Sequence, residues 1–477
     1  MSAIPEPRSV VGADRPWSVE RHAIEPIPTS DRHGSPGELF RLWVGANVNY
    51  VVLITGALAV VQGLSLQASL AAIVVGNLLG CAVVGLASIM GPRTGTAGII
   101  TTRTSFGQLG AVLPIVISTL AAIGWFSINS IIATDSLAKL MTMMGLPESQ
   151  WVGVVAMLLV LAAEIVVAIF GHATIIAAEG YVAVLLVLLF IGFALMILPH
   201  LDARSLTASS REGGFGAWLL VTGLIFSYPL SWTNFASDYS RYLPEQTSWR
   251  RIAWAAGGGQ FVALVFCEII GVLFALALGG ALTDPVADLP RLLPQWFLLP
   301  FLVAVILGSI AANVPNGYTA GLGLLALRLP MGRVASMFAI AAATVVFRVF
   351  TLLYGHAIDL YERWLGYLVF WTGPWISIVV VDFFMRGGVY SGAGLMEWGG
   401  GSYWYGRGVR WPGVVAFLSG LAASVLFSDS DLYASPLMTR FLGGTDLSFE
   451  AGILVSGCLY FVLSRGRGLR AERLGTT

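Results

Sequence analysis

The sequence predicts an all-α polytopic membrane protein with about twelve transmembrane helices. Three observations lead there. First, 57% of the 477 residues are hydrophobic and only 11% are charged, whereas soluble chains carry about 25% charged residues. A mean hydropathy of +0.81 puts the chain in the membrane class. Second, apolar runs of roughly the 20 residues that a helix needs to cross a bilayer core recur along the chain. Third, these runs are continuous and lack the alternation of barrel strands, so helices are the spanning element.

Taken in order, residues 1–39 read as a polar tail with prolines and mixed charge. The tail lacks the apolar core of a cleaved leader, so the run from about Phe40 acts as an uncleaved first span. The expected spans are 40–62, 68–90, 111–140, 150–171, 177–199, 215–235, 254–280, 296–327, 333–352, 357–385, 409–428 and 449–465. Spans one to five (40–199) and six to ten (215–385) form two halves, followed by two peripheral spans (409–465) and a short tail (466–477). The stretch 333–385 is the least regular, because Arg348, His356, Asp359 and Glu362 interrupt it. With both termini in the cytoplasm, nineteen of the 26 lysines and arginines fall on the inner side, the bias that orients proteins of the cell membrane. The longest polar connection, Arg386 to Arg410, is Gly-rich and offers no soluble domain of useful size. Whatever the chain does must happen within the bilayer.

Several function classes drop out. The formal net charge is zero, which gives no reason to expect a nucleic-acid partner. Cys81, Cys267 and Cys458 sit apart in apolar runs as small fillers, neither a disulfide frame nor a metal site. The five histidines are scattered; His172 falls at a span end, and His356 with Asp359 makes no ligand set. There is no His-Glu-x-x-His or Gly-x-Ser-x-Gly motif for an intramembrane enzyme, and Gly257-Gly-Gly259 lacks the Lys-Ser/Thr of a phosphate loop. No cofactor is expected, and no filter sequence suggests a channel. Gly76-x-x-x-Gly80 and Gly317-x-x-x-Gly321 read as close helix packing.

The polar residues inside the spans point to transport. Secondary transporters place their substrate at mid-membrane, between broken helices in matching positions of two repeats. The first span contains Trp43-Val-Gly-Ala-Asn-Val-Asn-Tyr50, whose Asn47 and Asn49 are costly against lipid and so face an interior. The sixth contains Phe226-Ser-Tyr-Pro-Leu-Ser-Trp-Thr-Asn234, where Pro229 removes a backbone donor and forces a kink. The two breaks are five spans apart, as a five-plus-five inverted repeat requires. In the third span, Trp125 and Asn129 share a helical face: a flat ring beside an amide suits a flat heterocycle, although packing alone also explains an indole. In the eighth, Asn313, Asn316 and Thr319 recur every third residue; helix–helix hydrogen bonding is the alternative reading.

Ionisable groups inside a membrane are functional candidates by default. Glu164 lies in mid-fourth span and Glu268 in mid-seventh, each open to proton carriage or to structural hydrogen bonding. Asp238, at the inner end of the sixth span beside Arg241, fits a structural or gating contact better than proton carriage.

Together these segments resemble the nucleobase–cation symporter family of purine–cytosine permeases and hydantoin and allantoin transporters. The resemblance covers nearly the whole chain from about Glu20. It rests on Arg21-His-Ala-Ile-Glu-Pro-Ile-Pro28, Leu39-Phe-Arg-Leu-Trp43, Gly91-Pro-Arg-Thr-Gly95 and Thr102-Arg-Thr-Ser-Phe-Gly107. It also rests on Gly124-Trp-Phe126, Ala312-Asn-Val-Pro-Asn-Gly-Tyr-Thr319 and, most specifically, Ser231-Trp-Thr-Asn-Phe-Ala-Ser-Asp-Tyr-Ser-Arg-Tyr-Leu-Pro244. It implies a leucine-transporter-like fold, with ten core helices in two inverted repeats and two peripheral ones, and import of a nucleobase by symport, cytosine or a purine ranking first. By resemblance, Trp125 stacks on the heterocycle, Asn129 bonds its edge and Asn313 contacts substrate; Asn316, Asn49 and Ser231 complete the expected site. Pro229 stands where some members stack a tryptophan, so Tyr228 or Trp232 takes that part. Leu307 and Gly308 replace the Ser-Thr pair of sodium-coupled relatives, which favours protons over sodium as the driving ion.

Overall fold

The computed structural model describes residues 24–465 apart from 171, 208, 210–213, 281, 283, 355–356, 431–432 and 442–445. His356 and the side chains of His172, Asp359 and Glu362, singled out in the sequence, fall outside that description. The first span is a pair of helices, Pro36–Asn47 and Tyr50–Val61, bent by 61° at their junction. Nine further helices are long and apolar enough to cross a membrane, and Trp411–Leu426 and Ser448–Ser464 are shorter apolar helices. This gives twelve spans among the described residues. Numbered in order after the first, they are Leu66–Ser88, Val112–Met143, Gln150–Phe170, His172–Ile197, Gly214–Ser231, Trp249–Ala277, Gln295–Ala326, Arg333–Tyr354, Ala357–Met385, Trp411–Leu426 and Ser448–Ser464.

The breaks have local causes. Asn49 adopts an extended backbone and caps the second half of the first span, its Oδ1 accepting from Val52 N at 3.1 Å. Its Nδ2 donates to the Ala46 carbonyl at 3.0 Å, which ties the first half to the same side chain. The sixth span differs from expectation. The helix runs through Pro229 to Ser231 and loosens only afterwards, into a 3-10 turn at Trp232–Asn234 and the short helix Ala236–Ser240. Here Ser231 and Thr233 hydroxyls donate back to the Tyr228 and Leu230 carbonyls, both at 2.7 Å, and so compete for the acceptors that would continue the helix.

Helix contacts sort the first nine spans, leaving out the fifth, into two packed groups. The first, second, sixth and seventh spans form one: the seventh packs on the first and second, and the second on the sixth. The third, fourth, eighth and ninth form the other, each touching the other three. Small residues allow the close approaches. A Cβ at Gly56 would lie 2.1 Å from the Glu268 carbonyl oxygen, and one at Gly80 would lie 2.4 Å from the Pro229 ring. Gly317 and Gly321 likewise meet Met337 and Ser336 of the ninth span, so both Gly-x-x-x-Gly pairs are packing sites. The Gly257–Gly259 run is another, set against the Cys81 and Phe40 carbonyls.

One face of the bundle carries residues 24–35 and is called here the tail face. Ile27 N donates to Gly95 O at 2.9 Å, Arg32 to Pro92 O at 2.7 Å and Gly34 N to Tyr242 O at 3.1 Å. These contacts bring three of the resemblance-bearing motifs together. Beside them lies a nine-residue helix, Gly98–Phe106, that sequence reading leaves as a loop. Its last carbonyls are held from beyond the tenth span: Arg386, Arg410 and the Tyr405 hydroxyl all donate to Thr104 O, at 3.3, 3.0 and 2.8 Å. Both arginines also bind the buried Asp382, Arg386 at 2.9 Å and Arg410 at 3.1 Å, and the Tyr460 hydroxyl adds a 2.5 Å bond. The Gly-rich connection Arg386 to Arg410 is thus a folded cap that joins the peripheral spans to the core.

Candidate functional site

The two helix groups face each other across an aromatic cluster. Trp125 of the third span lies against Tyr228 of the sixth, ring centroids 4.9 Å apart and planes at 70°. Tyr361 of the tenth span approaches the same indole at 6.0 Å and 71°. Its hydroxyl shares a 2.6 Å hydrogen bond with Thr55 of the first span. All three rings are buried. Of the two candidates for the second ring, the structure brings Tyr228 to Trp125. Trp232 packs instead on Trp43, at 5.6 Å, and on Phe235, at 5.0 Å. Nothing in the sequence singles out Tyr361, because its nearness to Trp125 is purely tertiary.

The amides divide into those spent on the fold and those with capacity left. Asn49 spends its oxygen and one amide hydrogen at the first-span break, and Ser231 donates its hydroxyl to its own helix. The Asn313 amide nitrogen lies within hydrogen-bond range of Phe126 O (2.8 Å), Ser130 Oγ (2.9 Å) and Glu164 Oε1 (2.8 Å). Its oxygen accepts from Asn316 at 3.3 Å. By contrast Trp125 Nε1, Asn129 Oδ1 and Asn316 Oδ1 are buried and make no hydrogen bond within the described chain. One donor and two acceptors, two of them on Trp125 or one helical turn from it, can read the edge of a flat polar ring, since buried polar atoms gain from partners.

Among the described residues, each helix group encloses one mid-span carboxylate. Glu164 sits in the second group, accepting from Ser130 at 2.7 Å and from Asn313. Glu268 sits in the first, where Asn77 of the second span donates to its Oε2 at 2.5 Å. Its Oε1 has no partner in the described chain. The partners Ser130 and Asn77 escape sequence reading, because a serine or asparagine in an apolar run carries no periodic signal of its own.

Asp238 lies at the tail face. It accepts from Gly98 N at 2.8 Å, at the start of the Gly98–Phe106 helix, where a carboxylate is favoured by the helix dipole. Thr319 of the eighth span donates to its other oxygen. Next to it, Arg241 donates to Tyr318 at 2.8 Å. The contacts tie the sixth span to the eighth and so cross between the two groups. Arg103 turns toward the cap, where it donates to Leu395 O at 2.9 Å and Ala326 O at 3.1 Å. Burial, with Arg328 nearby, pushes its guanidinium down to about 10, so it stays charged at neutral pH.

Comparison with known proteins agrees with this architecture. The chain is 28% identical over 461 residues to the putative purine-cytosine permease YxlA of Bacillus subtilis, covering 94% of this chain and 96% of that one. It is 25% identical to the purine-cytosine permease FCY2 of Saccharomyces cerevisiae, over 94% of this chain and 86% of that one. Among solved structures it matches Mhp1, a nucleobase-cation-symport-1 family transporter in a closed conformation with bromovinylhydantoin bound. There the TM-score is 0.79 at 16% identity, covering 96% of this chain and 98% of the other. A sodium-coupled sialic acid symporter matches with a TM-score of 0.57 at 12% identity, covering 90% of each chain. The fold is therefore leucine-transporter-like, in a multi-pass membrane transporter and not an enzyme. A family profile described as permease for cytosine/purines, uracil, thiamine, allantoin matches residues 26–450, and the chain belongs to that family of nucleobase–cation symporters.

Proposed function

We propose that this chain imports cytosine or a purine by proton-coupled symport, with alternating access and with the tail face toward the cytoplasm. The observation that carries the proposal is the buried slot of Trp125, Tyr228 and Tyr361 between the two helix groups, with Trp125 Nε1, Asn129 Oδ1 and Asn316 Oδ1 left over for a ligand. A base stacked on Trp125 touches both groups at once, so its binding depends on how the groups sit. Asn313 and Glu164 support the slot from behind by holding Asn316.

The inverted repeat of 40–199 and 215–385 is part of this reading. The second span packs on the sixth and the seventh on the first, and a two-fold exchange of halves interconverts these pairings. Proton coupling is favoured by the lining near the first-span break. A Cβ at Gly308 would lie 3.5 Å from Asn49 Cα and from Leu186, and Leu307 is its chain neighbour. Sodium needs several oxygen ligands, and these side chains supply none.

The test is uptake of labelled cytosine, adenine, hypoxanthine, uracil and allantoin by proteoliposomes, under a proton gradient and, separately, a sodium gradient. Accumulation of cytosine or a purine with protons alone is the expected result. Accumulation only with sodium would overturn the coupling argument from Leu307 and Gly308. Transport of allantoin or uracil alone would keep the symporter and reject the substrate.

A further inference from the structure

Resting on the symporter reading above, we propose that Glu268 carries the coupled proton, that Asn77 tunes its release, and that Glu164 is a positioning residue. The two buried acids are partnered differently. Glu164 has a side-chain donor within reach of each oxygen, Asn313 for Oε1 and, for Oε2, the Ser130 hydroxyl, whose one hydrogen is shared with Phe126 O at 2.8 Å, all within one packed group. That arrangement holds Asn313, and through it Asn316, in a fixed orientation. Glu268 has a donor for one oxygen only. Asn77 Nδ2 reaches Oε2 at 2.5 Å and directs its other hydrogen to Ile73 O at 2.9 Å, so it has none left for Oε1. Glu268 Oε1 and Asn77 Oδ1 are both buried without a partner.

A fully buried carboxylate with a single donor is poorly compensated as an anion, and a proton on Oε1 removes that cost. The titratable groups facing Glu268 are Cys81 on the second span, Cys267 on its own helix, Tyr228 on the sixth and Tyr361 on the tenth. None of these is a cation. The protonated acid therefore belongs to the arrangement in which Glu268 is buried, and release belongs to one in which water reaches Oε1.

The position also links the proton to the site. Tyr228 and Tyr361, which face Glu268, are the two rings set against Trp125. The Glu268 backbone is in contact with Gly56, in the half of the first span that carries Thr55, the partner of Tyr361. A change of charge at Glu268 is thus felt by the sixth, tenth and first spans, all of which border the slot. The proton enters on Oε1 from water on one side and leaves to water on the other, with no covalent step.

The experiment compares wild type, Glu268→Gln, Glu164→Gln and Asn77→Ala, each full length in proteoliposomes with an internal pH dye. Labelled cytosine or adenine is followed both in gradient-driven accumulation and in base-for-base exchange. Glu268→Gln is expected to lose accumulation and substrate-driven proton entry yet still exchange base. Glu164→Gln is expected to weaken exchange and accumulation together. Asn77→Ala removes the donor to the anion, so the alkaline fall of accumulation moves about one unit to higher pH. That shift provides the test should Glu268→Gln not fold. Proton entry retained in Glu268→Gln, or an unmoved pH profile in Asn77→Ala, overturns the assignment while leaving the symporter intact. Absence of proton entry in wild type that still accumulates base rejects proton coupling itself, a separate outcome.

Discussion

At the scale of residues, the slot rests on a few side chains with distinct duties. Trp125 offers the stacking face, and aromatic–base stacking contributes about 1–3 kcal/mol. Trp125→Ala is therefore expected to weaken cytosine or purine uptake roughly tenfold or more, read as a rise in KM. Unchanged affinity would remove the indole from the site. Tyr361→Phe keeps the ring and deletes only the bond to Thr55. Its effect should be the smaller of the two, about 0.5–1.5 kcal/mol, measured in the same uptake assay. The sequence already pointed to Trp125 and Asn129, because four-residue spacing on a helix is a local property. It did not point to Tyr361, which is brought to Trp125 from 236 positions away by packing alone. Asn49 carries a second signal: an asparagine directly before Tyr-Val-Val-Leu is also a helix-cap residue, and its Oδ1 accepts from Val52 N.

At the scale of elements, span lengths and order were legible because bilayer thickness fixes them. Where helices interrupt was only half legible. Pro229 draws the eye, yet Gly80 receives its ring and the helix continues, loosening at the hydroxyl-rich stretch beyond. The Gly98–Phe106 helix was invisible because it is short and rich in threonine, and its ends are satisfied by distant groups. Two predictions belong here. Gly56→Ala forces a methyl onto the Glu268 carbonyl, and overpacking of this kind costs about 1–3 kcal/mol. It should lower the thermal midpoint of the purified protein, whereas Gly145→Ala, with nothing within 4 Å of its added atom but a backbone strained at φ +100°, should lower it without steric conflict. Asn49→Ala loses the cap at the first-span break, at about 1 kcal/mol. Both are checked by thermal unfolding in detergent.

At the scale of the whole molecule, two four-helix groups meet at an aromatic seam, and a clamp at the tail face joins the peripheral spans to them. The clamp centres on Asp382, whose partners Arg386 and Arg410 are themselves buried. Removing one member of a buried ionic cluster is far costlier than the cluster is stabilising, about 3–5 kcal/mol. Asp382→Asn is therefore expected to abolish a monodisperse folded peak on size-exclusion chromatography. Because the cluster is screened from solvent, added salt should not mimic the effect.

The clamp also has a consequence for how the chain is made. Asp382 bonds Arg410, 28 positions later, and Tyr460, 78 positions later. When the ribosome has delivered Arg386, the aspartate still lacks Arg410 and Tyr460, and the Thr104 carbonyl has one of its three donors. The final hairpin therefore acts as a completion mark. A nascent chain interrupted before residue 410 exposes an acid short of two of its partners to the insertion and degradation machinery, and a premature stop there should yield cleared protein, not a shortened transporter.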